Sequence, residues 1–152
     1  MTELERCELA KAKGYTYNPI TGDIIGIKSG VITLKSCYGY IYIILRVKGK
    51  KYNLRGHRFA WYLHYGELPK YHIDHIDGVR DNNKIDNLRD VTIQQNNFNF
   101  SSAKGYYQHA RCKKFVAQIQ VNKKNIYLGL HNTPEEARAA YVEAKKKYHV
   151  IQ

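Results

Sequence analysis

Residues 71–100, YHIDHIDGVRDNNKIDNLRDVTIQQNNFNF, constrain this chain more than any other stretch. Residues 73–76 and 87–91 are short and partly apolar, long enough for strands and too short for helices. Between them, 77–86 is crowded with Asp, Asn and Gly78, the residues of a turning polar loop. Thr92-Ile-Gln-Gln95 then has the form of a capping box, so a helix starts there with Asn96 in its first turn. The order strand, loop, strand, helix describes a small ββα unit.

The polar residues of that unit suit one kind of chemistry. Asp74 and His75 stand side by side, and Asn87 and Asn96 follow. A carboxylate and an amide oxygen can hold one hard divalent cation, and a histidine titrating near neutrality can take a proton from water. Together they are a minimal set for hydrolysing a phosphodiester. Asn87 can bond backbone groups with both ends of its amide, which suits a brace. Neighbours on an ideal strand point to opposite faces, so Asp74 and His75 predict an irregular strand end near Asp77-Gly78. Asn97 and Asn99 are rival ligands to Asn96. An EF-hand over 74–85 is excluded because its closing position is Ile85, not glutamate. His57 reads as a packing or capping histidine.

Charge points to the partner. The 152 residues carry 25 Lys and Arg against 13 Asp and Glu, a net charge of +12. Residues 1–70 and 101–152 each carry +7, and 71–100 carry −2. A locally acidic centre between basic flanks suits a cation site within a nucleic-acid binder. Arg80, Lys84 and Arg89 could hold phosphates. Cys7, Cys37 and Cys112 are odd in number and form no CxxC pair, which argues against a disulfide framework or a zinc knuckle and fits reduced thiols in the cytoplasm. No apolar run reaches membrane-spanning length, and charged residues at 3, 5, 6 and 8 leave no signal-peptide core, so neither a membrane partner nor secretion is expected.

Flanking segments fill out the fold. Thr2 to Glu5 is a capping box opening a helix, and from Gly14 the pattern changes to short strands. Residues 40–47 and 51–54 flank a basic hairpin turn at Lys48-Gly-Lys50. A helix over 57–65 ends at Gly66 and contains Trp61, read as a core residue. Ser101-Ser-Ala-Lys-Gly105 is the best linker, dividing a domain of residues 1–100 from one of 101–152. In the latter, 115–121 alternates as a half-buried strand, Asn122-Lys-Lys-Asn125 turns into a strand over 126–130, and Thr133-Pro-Glu-Glu136 starts a helix. Ala137, Ala140, Tyr141, Ala144 and Tyr148 line one face of that helix. The fold class is α+β: an antiparallel sheet and helix leading into the ββα unit, then a three-stranded antiparallel sheet on one helix.

Asp74-His75, Asn87 and Asn96, set in DHIDG…DNN…DNLRDVT…N, resemble the HNH motif of phage and intron-encoded homing endonucleases, which have a ββα-metal active site. The resemblance implies that His75 is the general base, that Asp74 and Asn96 ligate one Mg²⁺ or Mn²⁺ per active site, and that Asn87 braces the loop aiming the histidine. Asn83 matches a recurrent asparagine with a structural role. Duplex DNA is the implied substrate, no small-molecule cofactor is expected, and a phage-encoded enzyme would act in the cytoplasm of its bacterial host. Residues 104–106, 115–119, 127–129 and 133–141 resemble the AP2 DNA-binding domain. That resemblance implies that the sheet face away from the helix enters the major groove. His109, Arg111, Gln118, Gln120 and Tyr127 would then contact bases, and Lys113, Lys114, Lys123 and Lys124 phosphates. The departures from that pattern, glutamines for arginines and Tyr127 for tryptophan, leave the target sequence open. The alternatives are a catalytically silent, sequence-specific DNA-binding regulator and an RNA-binding protein using its tyrosines for stacking. Monomer and homodimer are both compatible with the sequence.

Overall fold

A computed structural model describes residues 1–28, 30–98 and 103–149. Ser101 and Ser102 of the expected linker, and the rival ligand Asn99, lie outside the described residues. The chain is α+β and divides into two compact units, Met1–Val91 and Thr92–Gln152.

The first unit opens with helix α1 (Glu3–Ala12), started by the expected capping box: Glu5 N–H donates to Thr2 Oγ1 and Thr2 N–H to Glu5 Oε2. Strands β1 (Thr16–Tyr17), β2 (Ile24–Gly26) and β3 (Gly30–Val31) form a small antiparallel sheet in that order. β4 (Tyr42–Val47) and β5 (Lys50–Arg55) pair across Lys48 and Gly49. Both turn residues have positive φ, 47° and 78°, as a two-residue hairpin matched to strand twist requires. Helix α2 (Gly56–Tyr65) stops at Gly66, which takes the left-handed conformation at φ 80°.

Helix α2 positions the site because it is apolar on two sides. Phe59 enters the main core with Cys7, Ala10, Ile24, Ile41, Ile43, Leu45 and Leu54. Ile43, Leu45, Leu54 and Phe59 are essentially sealed from water, each contributing on the order of 2 kcal/mol through burial. Ala60, one residue on, enters a second cluster with Ile73 and Leu88 of the next hairpin. Trp61 packs against that cluster only half-buried, so it edges the core and does not fill it. A Cβ added at Gly56 would fall 2.8 Å from Ile24 Cδ1 and 3.1 Å from Ile41 O, so the helix starts in close contact with both residues.

β6 (His72–His75) and β7 (Leu88–Val91) pair antiparallel, and Asp74 lies opposite Arg89. The Asp90 carboxylate accepts the N–H groups of Lys70 and Tyr71 and fixes the entry to β6. The pairing is regular through His75, contrary to the irregular strand expected there. The backbone turns only afterwards, at Gly78 (φ 75°), whose N–H donates to His75 O. A 3-10 turn, Ile85–Asn87, was not foreseen either. It takes up Asn87, so β7 starts at Leu88.

In the second unit α3 (Ile93–Phe98) comes first, followed by β8 (Tyr106–Gln108), β9 (Phe115–Val121), β10 (Lys124–His131) and α4 (Pro134–Tyr148). The sheet order is β10-β9-β8, all antiparallel. β10 begins two residues before the expected 126, because Asn122 and Lys123 alone make the turn, both at positive φ. Thr133 caps α4 by accepting Glu136 N–H, with Pro134 in the first turn. Ala137, Tyr141 and Ala144 are buried on the expected face, and Tyr141 and Ala144 pack with Ile119, Val121, Ile126 and Leu128 of the sheet. A side chain at Gly105 would overlap the Tyr141 ring.

Candidate active site

Burying polar groups costs free energy unless each finds partners. Among the described residues the buried polar side chains are His57, Asp74, His75 and Asn83, all in the first unit and all in or beside the β6–β7 hairpin. The fold therefore places its costly burials together, the pattern of a functional site rather than of a surface loop.

His75 ends β6. Its Nε2 lies 3.2 Å from Asn83 Oδ1, and an amide oxygen there selects the tautomer carrying the proton on Nε2, with the lone pair on Nδ1. Burial lowers the imidazole pKa below its ordinary value, opposed by the Asn83 hydrogen bond and by the carboxylates of Asp77, Asp74 and Asp81. The ring is thus neutral at neutral pH, the form a base requires. His57 stands edge-on to it at 5.3 Å between ring centroids, and Tyr40 lies 5.2 Å from His57 and 5.8 Å from His75. Burial chiefly, then His75, Arg55 and Arg58, pushes His57 down to about 3. Its Nδ1 is buried without a hydrogen-bond partner among the described residues.

Asn83 is itself fixed from the amino-terminal sheet. Tyr17 Oη donates to Asn83 O at 2.7 Å, and Ile85 N–H donates to Pro19 O at 3.1 Å. A Cβ at Gly22 would fall 2.6 Å from Lys84 N, so only glycine lets the 18–23 turn lie against this loop. Asn87 uses both ends of its amide. Its Oδ1 accepts Asp77 N–H, and its Nδ2 donates to Asp77 Oδ1 and Asn82 O. Asp77 also accepts from Val79 N–H and Asn82 Nδ2, which closes the loop that follows His75.

Asp74 occupies the other face of β6. Arg89, directly opposite, donates Nε and Nη2 to Asp74 Oδ2 at 2.9 and 2.7 Å. Arg89 is therefore engaged within the hairpin, whereas Arg80 is exposed and donates to Tyr38 O. Lys84 is exposed. Asn96 lies on α3 in the second unit, one position before Asn97. The buried carboxylate of Asp74 is a hard oxygen donor of the type Mg²⁺ and Mn²⁺ prefer, so its chemistry fits such an ion. Among the described residues no three His, Cys, Asp or Glu side chains gather into a metal-binding group.

On the second unit, register places Tyr127 opposite Gln118 and Asn125 opposite Gln120, on the sheet face away from the Ile119–Ile126 pair that packs toward α4. Tyr127 is 64% exposed. Lys123 is in the β9–β10 turn and Lys124 opens β10, both exposed. His109, Arg111, Lys113 and Lys114 share the exposed loop between β8 and β9, where His109 Nδ1 lies 3.4 Å from Cys112 Sγ. The three cysteines are free thiols, Cys7 buried and the others exposed. No helix among the described residues is long and apolar enough to cross a membrane.

The sequence did not single out Tyr40, Tyr17 or Arg55, and read His57 and Asn83 as structural. Tyr17, Tyr40, Arg55 and His57 lie 18 to 58 positions from His75, outside the local pattern that holds Asn83.

Residues 55–98, which span α2, the hairpin and α3, match the family model described as HNH endonuclease. One solved structure, described as "DNA binding and cleavage by the HNH homing endonuclease I-HmuI", is 35% identical to this chain, with a TM-score of 0.44. The likeness covers 56% of this chain and 50% of that one, so the chain spans about half the length of that protein. No curated protein matches the chain.

Proposed function

We propose that this chain, which carries an HNH endonuclease segment at residues 55–98, is a divalent-metal-dependent endonuclease that hydrolyses phosphodiester bonds in duplex DNA. One observation carries the reading: a buried, neutral histidine ends a strand, one ring nitrogen on Asn83, before a loop locked by Asn87. Burying a polar ring costs free energy, and its place within the segment matched to HNH endonucleases supports a catalytic use for it.

In the reaction, His75 Nδ1 takes a proton from water as the water oxygen attacks phosphorus, and the P–O bond to the leaving sugar oxygen breaks. Asn83 keeps the imidazole oriented and in one tautomer, and Asn87 holds the loop beyond it, so little reorganisation accompanies proton transfer. Asp74, and Asn96 by the sequence resemblance, would be oxygen donors to one Mg²⁺ or Mn²⁺. Such an ion, when bound, makes the water more acidic and offsets charge on the phosphate and leaving oxygen. The net charge of +12 draws DNA to the protein. On the second unit, Gln118, Gln120 and Tyr127, with His109 and Arg111, would read bases as an AP2-like surface. Lys113, Lys114, Lys123 and Lys124 would hold phosphates.

A second reading, a catalytically silent DNA-binding protein, draws on the Asp74–Arg89 pair, which already satisfies one carboxylate oxygen. Supercoiled plasmid incubated with the protein in Mg²⁺ or in EDTA separates the two. The nuclease nicks or linearises the plasmid in Mg²⁺ only, and His75→Ala lowers the rate by roughly 10²–10⁴-fold while DNA affinity in EDTA is kept. An intact plasmid in Mg²⁺, or an equal loss of binding in the variant, overturns the proposal.

A further inference from the structure

The ring of Tyr40 carries two cations. The guanidinium carbon of Arg80 is 5.3 Å from its centroid and that of Arg55 is 5.9 Å, and the same ring stands 5.8 Å from the ring of His75. Arg55 comes from the end of β5 and Arg80 from the loop after β6, so only the tertiary fold brings them to one aromatic. Both arginines are exposed, and neither forms an ion pair among the described residues.

The carboxylates of the loop are already engaged. Asp81 pairs with Lys35 at 2.5 Å, and Asp77 is taken up by Asn82, Asn87 and Val79. Arg80 is anchored at one nitrogen by Tyr38 O, at 3.0 Å, which fixes its plane and leaves its other donors for a ligand. Two like charges held within 6 Å of one aromatic ring, neither in an ion pair among the described residues, are an anion site in electrostatic terms. The planar fork of each guanidinium matches the oxygens of a phosphodiester.

We infer that Arg55 and Arg80, stacked on Tyr40, form a clamp for a backbone phosphate of DNA beside His75. The inference rests on the reading of the chain as a DNA-acting enzyme, and it adds Arg55 and Tyr40 to that reading. The clamp sets where the strand lies relative to the imidazole and carries no sequence information, because phosphates are the same at every step.

The test measures binding of the full chain to a labelled duplex oligonucleotide in EDTA, between about 50 and 200 mM salt. Arg55→Gln and Arg80→Gln each flatten the slope of log K against log salt by about 0.9, the loss of one phosphate contact. Arg55→Lys keeps the charge and the native slope. Native slopes in both glutamine variants overturn the clamp, as does a slope lost equally in Arg55→Lys and Arg55→Gln. Because nothing is cleaved in EDTA, a plasmid that the native protein leaves intact in Mg²⁺ would refute the nuclease reading without touching this result.

Discussion

Asp74 and Arg89 face each other across β6 and β7, and both Nε and Nη2 of Arg89 close on a single oxygen, Oδ2, of Asp74. The carboxylate side chain is only 8% exposed and the guanidinium 26%, so the pair is largely removed from water. Arg89 thereby stabilises a buried charge that the proposed reaction needs, and it also competes for that charge.

Removing the arginine takes two charge-assisted donors away from Oδ2 of a buried carboxylate. Arg89→Ala is expected to cost about 3 kcal/mol, read as a lower urea midpoint. Asp74→Asn in the Arg89→Ala background recovers much of the loss, as a double-mutant cycle for a direct pair requires. With the competitor gone, half-maximal cleavage moves to lower Mg²⁺ in Arg89→Ala. A midpoint that stays put would remove Asp74 from the ligand set.

Asn83 is the residue whose loss should separate orientation from binding. Asn83→Ala leaves His75 Nε2 buried without its oxygen, costing about 1–3 kcal/mol of stability. Cleavage falls on the order of 10²-fold through misplacement of the base, with DNA affinity in EDTA unchanged. Nitrogen-15 NMR of the native protein should show His75 protonated on Nε2 when neutral. An Nδ1-protonated ring would contradict the geometry.

Acid stability follows from His57. Its pKa falls from an ordinary 6.5 to about 3 on folding, so between those values the unfolded chain binds the extra proton. The stability that its neutral burial contributes is fully present above about pH 6.5 and is lost progressively as pH falls toward 3. His75, shifted in the same direction, steepens the decline. Melting temperatures measured between those limits should drop steeply for the native protein and less so for His57→Phe. Parallel curves would assign the acid limb elsewhere.

The thiols should divide cleanly. Burial first, then the Glu3 carboxylate, pushes Cys7 up to about 12, and the side chain is sealed under α1. Cys37 and Cys112 are exposed. A thiol reagent at neutral pH should therefore label two cysteines rapidly and Cys7 only on unfolding. Rapid labelling of all three would show α1 opening.

Most helix ends and turns are set by short runs of residues. Thr2 and Thr133 cap their helices, Gly66 stops α2, and Lys48-Gly49 turns the β4–β5 hairpin, because capping and positive φ are properties of a few adjacent residues. The hydrogen bonds of Asn87 are local for the same reason, its partners Asp77 and Asn82 lying within ten residues. The environment of His75 was not legible. Tyr17 behind Asn83, His57 against the imidazole, and Arg55 and Arg80 on the Tyr40 ring are contacts between residues 15 to 66 positions apart. Only packing α2 between two cores brings those segments together. Burial there then decides that His75 is neutral and that Asp74 pairs with Arg89.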